Sequence, residues 1–177
     1  MVGMQGIWIF GILILFLSLV FPFLHYIRCL YYSRLEILSD KFSYITDITV
    51  LLPIKDEGIV IRNKLKELLS MDYPLDKIKI LIVDSGSKDN GSEIANKFLS
   101  SYRGKIKYEI VTINQPGKSV AINHALNLIT TDFFIMMDTE AILSKSTLKE
   151  IMNWFSIDKV GAVCGQFSPE LNDLDFN

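Results

Sequence analysis

The sequence contains few cysteines and no long run of basic residues. Its two cysteines, Cys29 and Cys164, lie far apart and lack metal-ligand spacing, as is typical of buried or idle thiols in a reducing compartment. The formal net charge is -2, whereas a nucleic-acid surface requires a clustered basic face. We therefore expect no nucleic-acid partner. The length of 177 residues, with 50% hydrophobic content, excludes many domains and predicts one core plus an accessory segment.

Charge is completely absent from Gly6 to Leu24, which read GIWIFGILILFLSLVFPFL. At about 1.5 Å per residue a helix of this length crosses the hydrocarbon core of a membrane, so we predict a transmembrane helix. A cleaved signal peptide requires a basic region before the apolar run and a small-residue cleavage site after it, and both are missing. Basic residues follow the span at Arg28, Arg34 and Lys41, and none precedes it. The positive-inside rule therefore predicts a single-pass protein whose carboxyl-terminal part is cytoplasmic.

From residue 46 onward, apolar runs of strand length alternate with segments of helical period. This order favours right-handed βαβ units, and therefore an α/β domain with a mostly parallel sheet and helices on both faces. We predict a membrane anchor over 1–45 and this Rossmann-like domain over 46–177. Ligands bind such sheets beyond the carboxyl ends of the strands, so the residues after each strand are the candidate site. The predicted strands are 48–53, 78–84, 106–112, 133–138 and 160–166.

Polar residues follow the first two predicted strands. After the first strand, Pro53 is followed by Asp56 and Glu57 in PIKDEG, where carboxylates can simply cap the next helix. After the second strand, Asp84 opens the loop DSGSKDNGS. The small residues of this loop let a ligand approach the backbone, and a carboxylate here can accept hydrogen bonds from a base or a ribose. We therefore predict a nucleotide contact at Asp84.

A lysine opens the helix that follows the third predicted strand, in NQPGKSVAINHAL. A phosphate-binding P-loop requires a glycine five residues before Gly117, and Thr112 stands there. That reading is excluded. Lys118 at a helix N-terminus still favours an anion such as phosphate, although an exposed lysine without a ligand is the alternative. The helix itself is predicted to pack through Ile122, Leu126 and Ile129.

Two carboxylates, Asp138 and Glu140, end the apolar run FFIMMDTEA. In extended backbone residues i and i+2 point the same way, so both side chains can reach one point. Two acids so close repel each other unless a cation lies between them, and oxygen ligands suit Mg²⁺ or Mn²⁺. The alternative is capping of the next helix, for which Ser144 or Ser146 would be enough.

Taken together, the stretches ITVLLPIKDEG, ILIVDSGSKDNG, PGKSVAINHAL, FFIMMDTEAIL and VGAVCGQ resemble the family-two glycosyltransferases with the GT-A fold, over about residues 46–166. The resemblance implies the nucleotide-sugar-binding part of an inverting glycosyltransferase that uses a nucleoside-diphosphate sugar. The implied contacts are Asp84 with the nucleoside, Asp138 with ribose and metal, Glu140 with metal and diphosphate, Lys118 with the phosphates, and Pro53 and Glu57 with the nucleotide.

The sequence also departs from the family pattern. The metal motif usually ends in a second aspartate, where this chain has Glu140, and Asp56 and Ser85 replace a frequent asparagine and aspartate. The family's general base lies in a later motif, and the final stretch SPELNDLDFN does not form one. We therefore expect a chain truncated before the catalytic base, which is either part of a longer enzyme or a non-catalytic donor-binding module. The membrane span suggests a lipid-linked or polysaccharide acceptor.

Overall fold

The amino-terminal unit of the computed structural model is one long helix. The structure describes residues 2–34, 44–104 and 106–165, and the chain divides into two compact units, Met1–Asp40 and Lys41–Asn177. Helix α1 covers Val2–Arg34. Within it, the 24 residues Trp8–Tyr31 are long and apolar enough to cross a membrane. The candidate span therefore reaches further toward the carboxyl end than the predicted one.

The second unit contains a four-stranded parallel sheet in the order β3-β2-β1-β4. This confirms the predicted α/β class. Strands β1 and β2 occupy the centre of the sheet, and β1 is buried along its whole length. Val, Ile and Leu fill these strands because a central parallel strand is covered on both faces. The strands are β1 Ile48–Ile54, β2 Ile78–Asp84, β3 Lys107–Thr112 and β4 Phe133–Met136.

Helices cover both faces of the sheet, as predicted. Helices α2, α3 and α5 contribute to the larger core cluster, together with alternate β1 residues such as Val50 and Leu52. Helix α4 packs on the opposite face, where Leu51 and Leu81 lie. The four helices are α2 Ile61–Leu69, α3 Gly91–Ser101, α4 Lys118–Leu126 and α5 Thr147–Trp154, and a short 3₁₀ helix covers Leu75–Lys77.

Two sequence predictions about helices and strands were wrong. Helix α4 buries Ala121 and Ala125, whereas Leu126, which was expected to pack, is 45% exposed. The expected fifth strand over 160–166 is not a strand at residues 160–165, and residue 166 lies outside the described part. That segment contains two glycines and its side chains are mostly exposed, so it lacks the packing surface that stabilises a strand.

Strand β4 is shorter than predicted because the chain turns at Asp138. Its last ladder residue is Met136, although the Met137 N–H still donates to the Leu51 carbonyl at 3.0 Å. The Ala141 N–H then donates to the Asp138 carbonyl at 3.3 Å, which closes a turn. The backbone from Asp138 to Glu140 is therefore a turn and not a strand, so the expectation that the two side chains point together because they are two residues apart in extended backbone is wrong.

Candidate functional site

A cavity of about 300 Å³ lies beyond the carboxyl ends of β1 and β4. This is the edge at which parallel α/β sheets bind ligands. A second cavity of about 340 Å³ lies at the amino ends of the strands, where the exposed ion pair of Lys77 and Asp47 lines it. We assign the site to the first cavity because it contains most of the candidate residues. Its lining consists of Pro53, Ile54, Lys55, Glu57, Ser85, Lys118, Asp138, Thr139 and Glu140.

The turn after β4 brings Asp138 and Glu140 to this cavity. Both residues are exposed, whereas Thr139 between them is 7% exposed. The Thr139 hydroxyl donates a short hydrogen bond to the Glu57 carboxylate in the loop after β1. The turn is therefore fixed through its middle residue, while the two flanking carboxylates remain accessible to a ligand.

Lys118 forms an ion pair with Asp138 in the lining of the cavity. Its ammonium Nζ lies 2.5 Å from the Asp138 Oδ1, and both side chains are more than half exposed. Lys118 is the first residue of α4, and the glycine before it has a positive φ of 133°. The lysine therefore stands where the free N–H groups of a helix N-terminus also favour an anion.

Glu57 is the least solvated carboxylate of the cavity. Burial raises its pKa above the ordinary 4.5; the Thr139 hydrogen bond opposes this, whereas the charges of Glu140 and Asp138 raise the pKa further and Lys118 lowers it. The backbone carbonyl of Glu57 accepts the N–H groups of Val60 and Ile61 at 3.1 and 3.0 Å, at the start of α2. Glu57 therefore joins the start of α2 to the turn Asp138–Ala141, which we call the acidic turn.

Three hydrogen bonds join the loop after β1 to the loop after β2, and a fourth lies within the second loop. The Asp56 N–H donates to the Ser87 hydroxyl at 2.9 Å, and the Lys88 N–H donates to the Asp56 carboxylate at 2.6 Å. The Asp89 carboxylate accepts the N–H groups of Gly58 at 2.6 Å and Gly91 at 3.1 Å. Asp56 has a φ of 55°, a left-handed conformation that Asp and Asn adopt more readily than other non-glycine residues.

Asp84 lies beneath this pair of loops and is 4% exposed. Its carboxylate accepts the Ser87 N–H at 2.8 Å and the Ser92 hydroxyl at 2.5 Å. Burial alone would raise the pKa of Asp84, but the hydrogen bonds from Ser87, Ser92 and Gly86 outweigh it and lower the pKa below its ordinary value. Asp84 is therefore ionised at neutral pH and orders the loop from inside; a nucleoside contact by this residue stays a prediction.

The cavity is more acidic than basic, since the carboxylates of Glu57, Asp138 and Glu140 face the cations of Lys55 and Lys118. Within residues 2–34, 44–104 and 106–165 no group of three or more His, Cys, Asp or Glu side chains could hold a metal. Two exposed carboxylates nevertheless fit Mg²⁺ or Mn²⁺, because these ions commonly take one or two carboxylates and complete their shell with water and substrate phosphates.

Sequence reasoning placed Pro53, Glu57, Asp84, Lys118, Asp138 and Glu140 at one site. The fold brings five of these six residues to the same cavity, and Asp84 does not line it. Sequence reasoning missed Thr139 and Ser85, whose hydroxyls hold loops there. Both are small polar residues beside a predicted site residue, a signal too common to single them out. The acidic residues near the end of the chain, Glu170, Asp173 and Asp175, lie outside the described residues.

The family model for glycosyl transferase family 2 matches residues 49–176. The chain belongs to this family. Probable glycosyltransferase YdaM from Bacillus subtilis is 29% identical over 126 residues, which cover 68% of this chain and 29% of that protein. The poly-β-1,6-N-acetyl-D-glucosamine synthase of Staphylococcus epidermidis is 24% identical over 135 residues, covering 76% of this chain and 32% of that protein. This family 2 chain thus spans about a third of the length of these relatives.

A solved structure of a glycosyltransferase has the same fold. The mannosyltransferase PcManGT from Pyrobaculum calidifontis, in complex with GDP-Man and Mn²⁺, superposes with a TM-score of 0.70 at 26% identity. The match covers 79% of this chain and 41% of the mannosyltransferase. The resemblance to the GT-A family-two glycosyltransferases that the sequence motifs indicated is therefore confirmed.

Proposed function

We propose that this chain binds the nucleoside-diphosphate sugar of a glycosyl transfer in the cavity beyond β1 and β4. The observation that carries the proposal is the meeting of Asp138, Glu140 and Lys118 in that one cavity. Two accessible carboxylates offer oxygen ligands to a divalent cation, and the lysine offers a positive charge to phosphate oxygens. The proposal is supported by family membership and by the likeness to a mannosyltransferase structure that contains GDP-Man and Mn²⁺.

Each residue then has a separate task. Asp138 and Glu140 would hold Mg²⁺ or Mn²⁺, and Lys118 would contact the diphosphate. Pro53 and Glu57 would line the nucleotide, while Asp84 would contact the nucleoside or hold the loop that does. The cation supplies charge neutralisation for the departing nucleoside diphosphate when it is bound.

Transfer by the whole protein is a further part of the proposal. An inverting transfer requires a general base that takes the proton of the acceptor hydroxyl. We assign no residue of this chain to that role. The alternative function is a donor-binding module that does not catalyse transfer. An acceptor of the sugar, whether polysaccharide or lipid-linked, would need a binding surface beyond the described cavity.

We also propose that α1 anchors the domain in a membrane with the domain on the cytoplasmic side. The apolar span Trp8–Tyr31 is long enough for this task. Arg28, Arg34 and Lys41 lie at or after its carboxyl end, and no basic residue precedes the span, which favours a cytoplasmic carboxyl-terminal part. Nucleotide sugars would then reach the cavity from the cytoplasm.

Calorimetry on the full chain in detergent micelles tests the donor site. GDP-mannose and UDP-N-acetylglucosamine are titrated with Mn²⁺ and again with EDTA, and we expect at least one of them to bind only with the metal. Asp138→Asn should weaken that binding about 10- to 100-fold, because one charge-assisted contact contributes about 1.5–3 kcal/mol. Asp132→Asn, an exposed aspartate at the opposite end of β4, is the matched control and should bind normally. Equal affinity with and without EDTA would refute the metal-dependent site.

A further inference from the structure

A lysine and a glutamate of α2 lie next to the acidic turn, although neither lines the cavity. Lys64 shares the inner face of the helix with Ile61, Leu65 and Leu68, and its side chain is 0% exposed. A fully buried lysine is rare unless it is paired. Its partner is Glu67, one turn further along the helix, whose two carboxylate oxygens both lie 3.4 Å from the Lys64 Nζ.

Both members of the pair bind the backbone immediately after Glu140. The Lys64 Nζ donates to the Ala141 carbonyl at 2.5 Å, and the Leu143 N–H donates to the Glu67 Oε1 at 2.6 Å. The helix therefore holds the chain at two points in the three residues that follow the second carboxylate. Before the carboxylates, the Met137 N–H is held by the Leu51 carbonyl at 3.0 Å.

The pair is poorly explained as a device for stability. Burial lowers the pKa of Lys64 and the charge of Glu67 opposes that shift, so the charged lysine is disfavoured by its surroundings. Replacing a buried ion pair with apolar residues of similar size is often neutral or stabilising. Both side chains end on backbone atoms within the three residues that follow Glu140, so the contacts support a role in fixing the position of the turn Asp138–Ala141.

We infer that Lys64 and Glu67 are positioning residues that set the turn Asp138–Ala141 so that both carboxylates can take one divalent cation. This inference rests on the proposed donor site. The two side chains act through the Ala141 carbonyl and the Leu143 N–H. Neither side chain lines the cavity in which the donor site is proposed.

The test replaces the pair with apolar residues of similar size, Lys64→Met together with Glu67→Leu, in the full chain in detergent micelles. The first readout is hydrogen exchange of the segment 137–146 without metal or donor, and we expect the Leu143 amide to exchange at least tenfold faster. The second is the dissociation constant of the donor probe that the wild type binds with Mn²⁺, which should rise about tenfold. Lys66→Met, an exposed lysine of the same helix, is the control and should change neither value.

The outcomes separate this inference from the proposed function. If the wild type binds neither GDP-mannose nor UDP-N-acetylglucosamine with Mn²⁺, the proposed donor site fails. If the wild type binds and the double variant binds within twofold of it, or if exchange of 137–146 is unchanged, the positioning role is wrong. Should the double variant fail to fold, Glu67→Gln and Glu67→Leu replace it: Gln keeps an oxygen for the Leu143 N–H and should retain binding, whereas Leu should lose it. Equal binding by these two variants would also overturn the inference.

Discussion

The hydrogen bonds of Asp89 allow a quantitative prediction about how the site is held together. Its carboxylate joins Gly58, in the loop after β1, to Gly91, at the start of α3. Asp89→Ala removes both bonds without creating a buried cavity, because the side chain is exposed. The variant should therefore loosen the contact between the two loops while the sheet stays intact.

The expected loss follows from the number and exposure of these bonds. A hydrogen bond contributes about 0.5–1.5 kcal/mol to stability, and the lower half of that range applies to an exposed carboxylate. Two bonds then contribute about 1.5 kcal/mol to the free energy of unfolding. For a domain of this size about 1 kcal/mol shifts Tm by about 4 °C, so Asp89→Ala should lower Tm by about 6 °C. Thermal unfolding of the full chain in detergent, followed by tryptophan fluorescence, measures it.

Two further variants make the test specific. Lys88→Ala is the control, because Lys88 contributes only its backbone N–H to the contact between the two loops. This variant should unfold within about 1 °C of the wild type. A Cβ on Gly58 would lie 2.8 Å from the Asp89 Oδ2, so Gly58→Ala should destabilise the wild type more than it destabilises Asp89→Ala. The reasoning is refuted if Asp89→Ala unfolds within 2 °C of the wild type, or if the two effects simply add.

Two predictions concern pH and topology. Because burial raises the pKa of Glu57 above 4.5, the stabilisation that comes from the protonated carboxyl is fully present below pH 4.5 and is lost as the pH rises through the raised pKa. Between pH 4 and pH 7 the Tm of Glu57→Gln should therefore rise relative to that of the wild type. A difference in Tm that does not change with pH would contradict this. In a Cys29→Ser background, a membrane-impermeant maleimide should label the exposed Cys164 in inside-out vesicles but not in intact cells, and labelling of intact cells would place the domain outside.

The strands were predictable because their burial is simple. A central parallel strand is apolar on both faces, so β1 and β2 appear in the sequence as nearly continuous apolar runs, interrupted only by Thr49 in β1 and Lys79 in β2 before its final Asp84. Helix α4 was less predictable, since Ala121 and Ala125 face the sheet while the larger Leu126 stays exposed. Small residues let a helix approach a sheet closely, and the periodicity of large apolar residues does not show this. The expected strand over 160–166 is not formed at residues 160–165. An apolar run in the sequence does not show whether a neighbouring strand is available to pair with it.

Part of the site could be predicted because the carboxyl ends of parallel strands meet at one edge. That rule alone brings Asp138 and Lys118 together from distant stretches of sequence. The contacts of Lys64 could not be predicted, since a lysine in a helical pattern is ordinarily solvated. The left-handed φ of Asp56 was equally hidden, although it explains why the position suits Asp as well as the asparagine that is frequent in the family.

The site separates the groups that face a ligand from the groups that hold the loops. Lys118 and Asp138 are more than half exposed, and an exposed ion pair contributes about 0–1 kcal/mol to folding. Three buried side chains contribute to holding the loops: Asp84 is 4% exposed, Thr139 7% and Lys64 2%. Substitutions of Lys118 or Asp138 should therefore change ligand affinity with little effect on Tm, whereas substitutions of Asp84 or Thr139 should change both. For this reason a loss of metal-dependent binding in Asp138→Asn can be attributed to the site and not to unfolding.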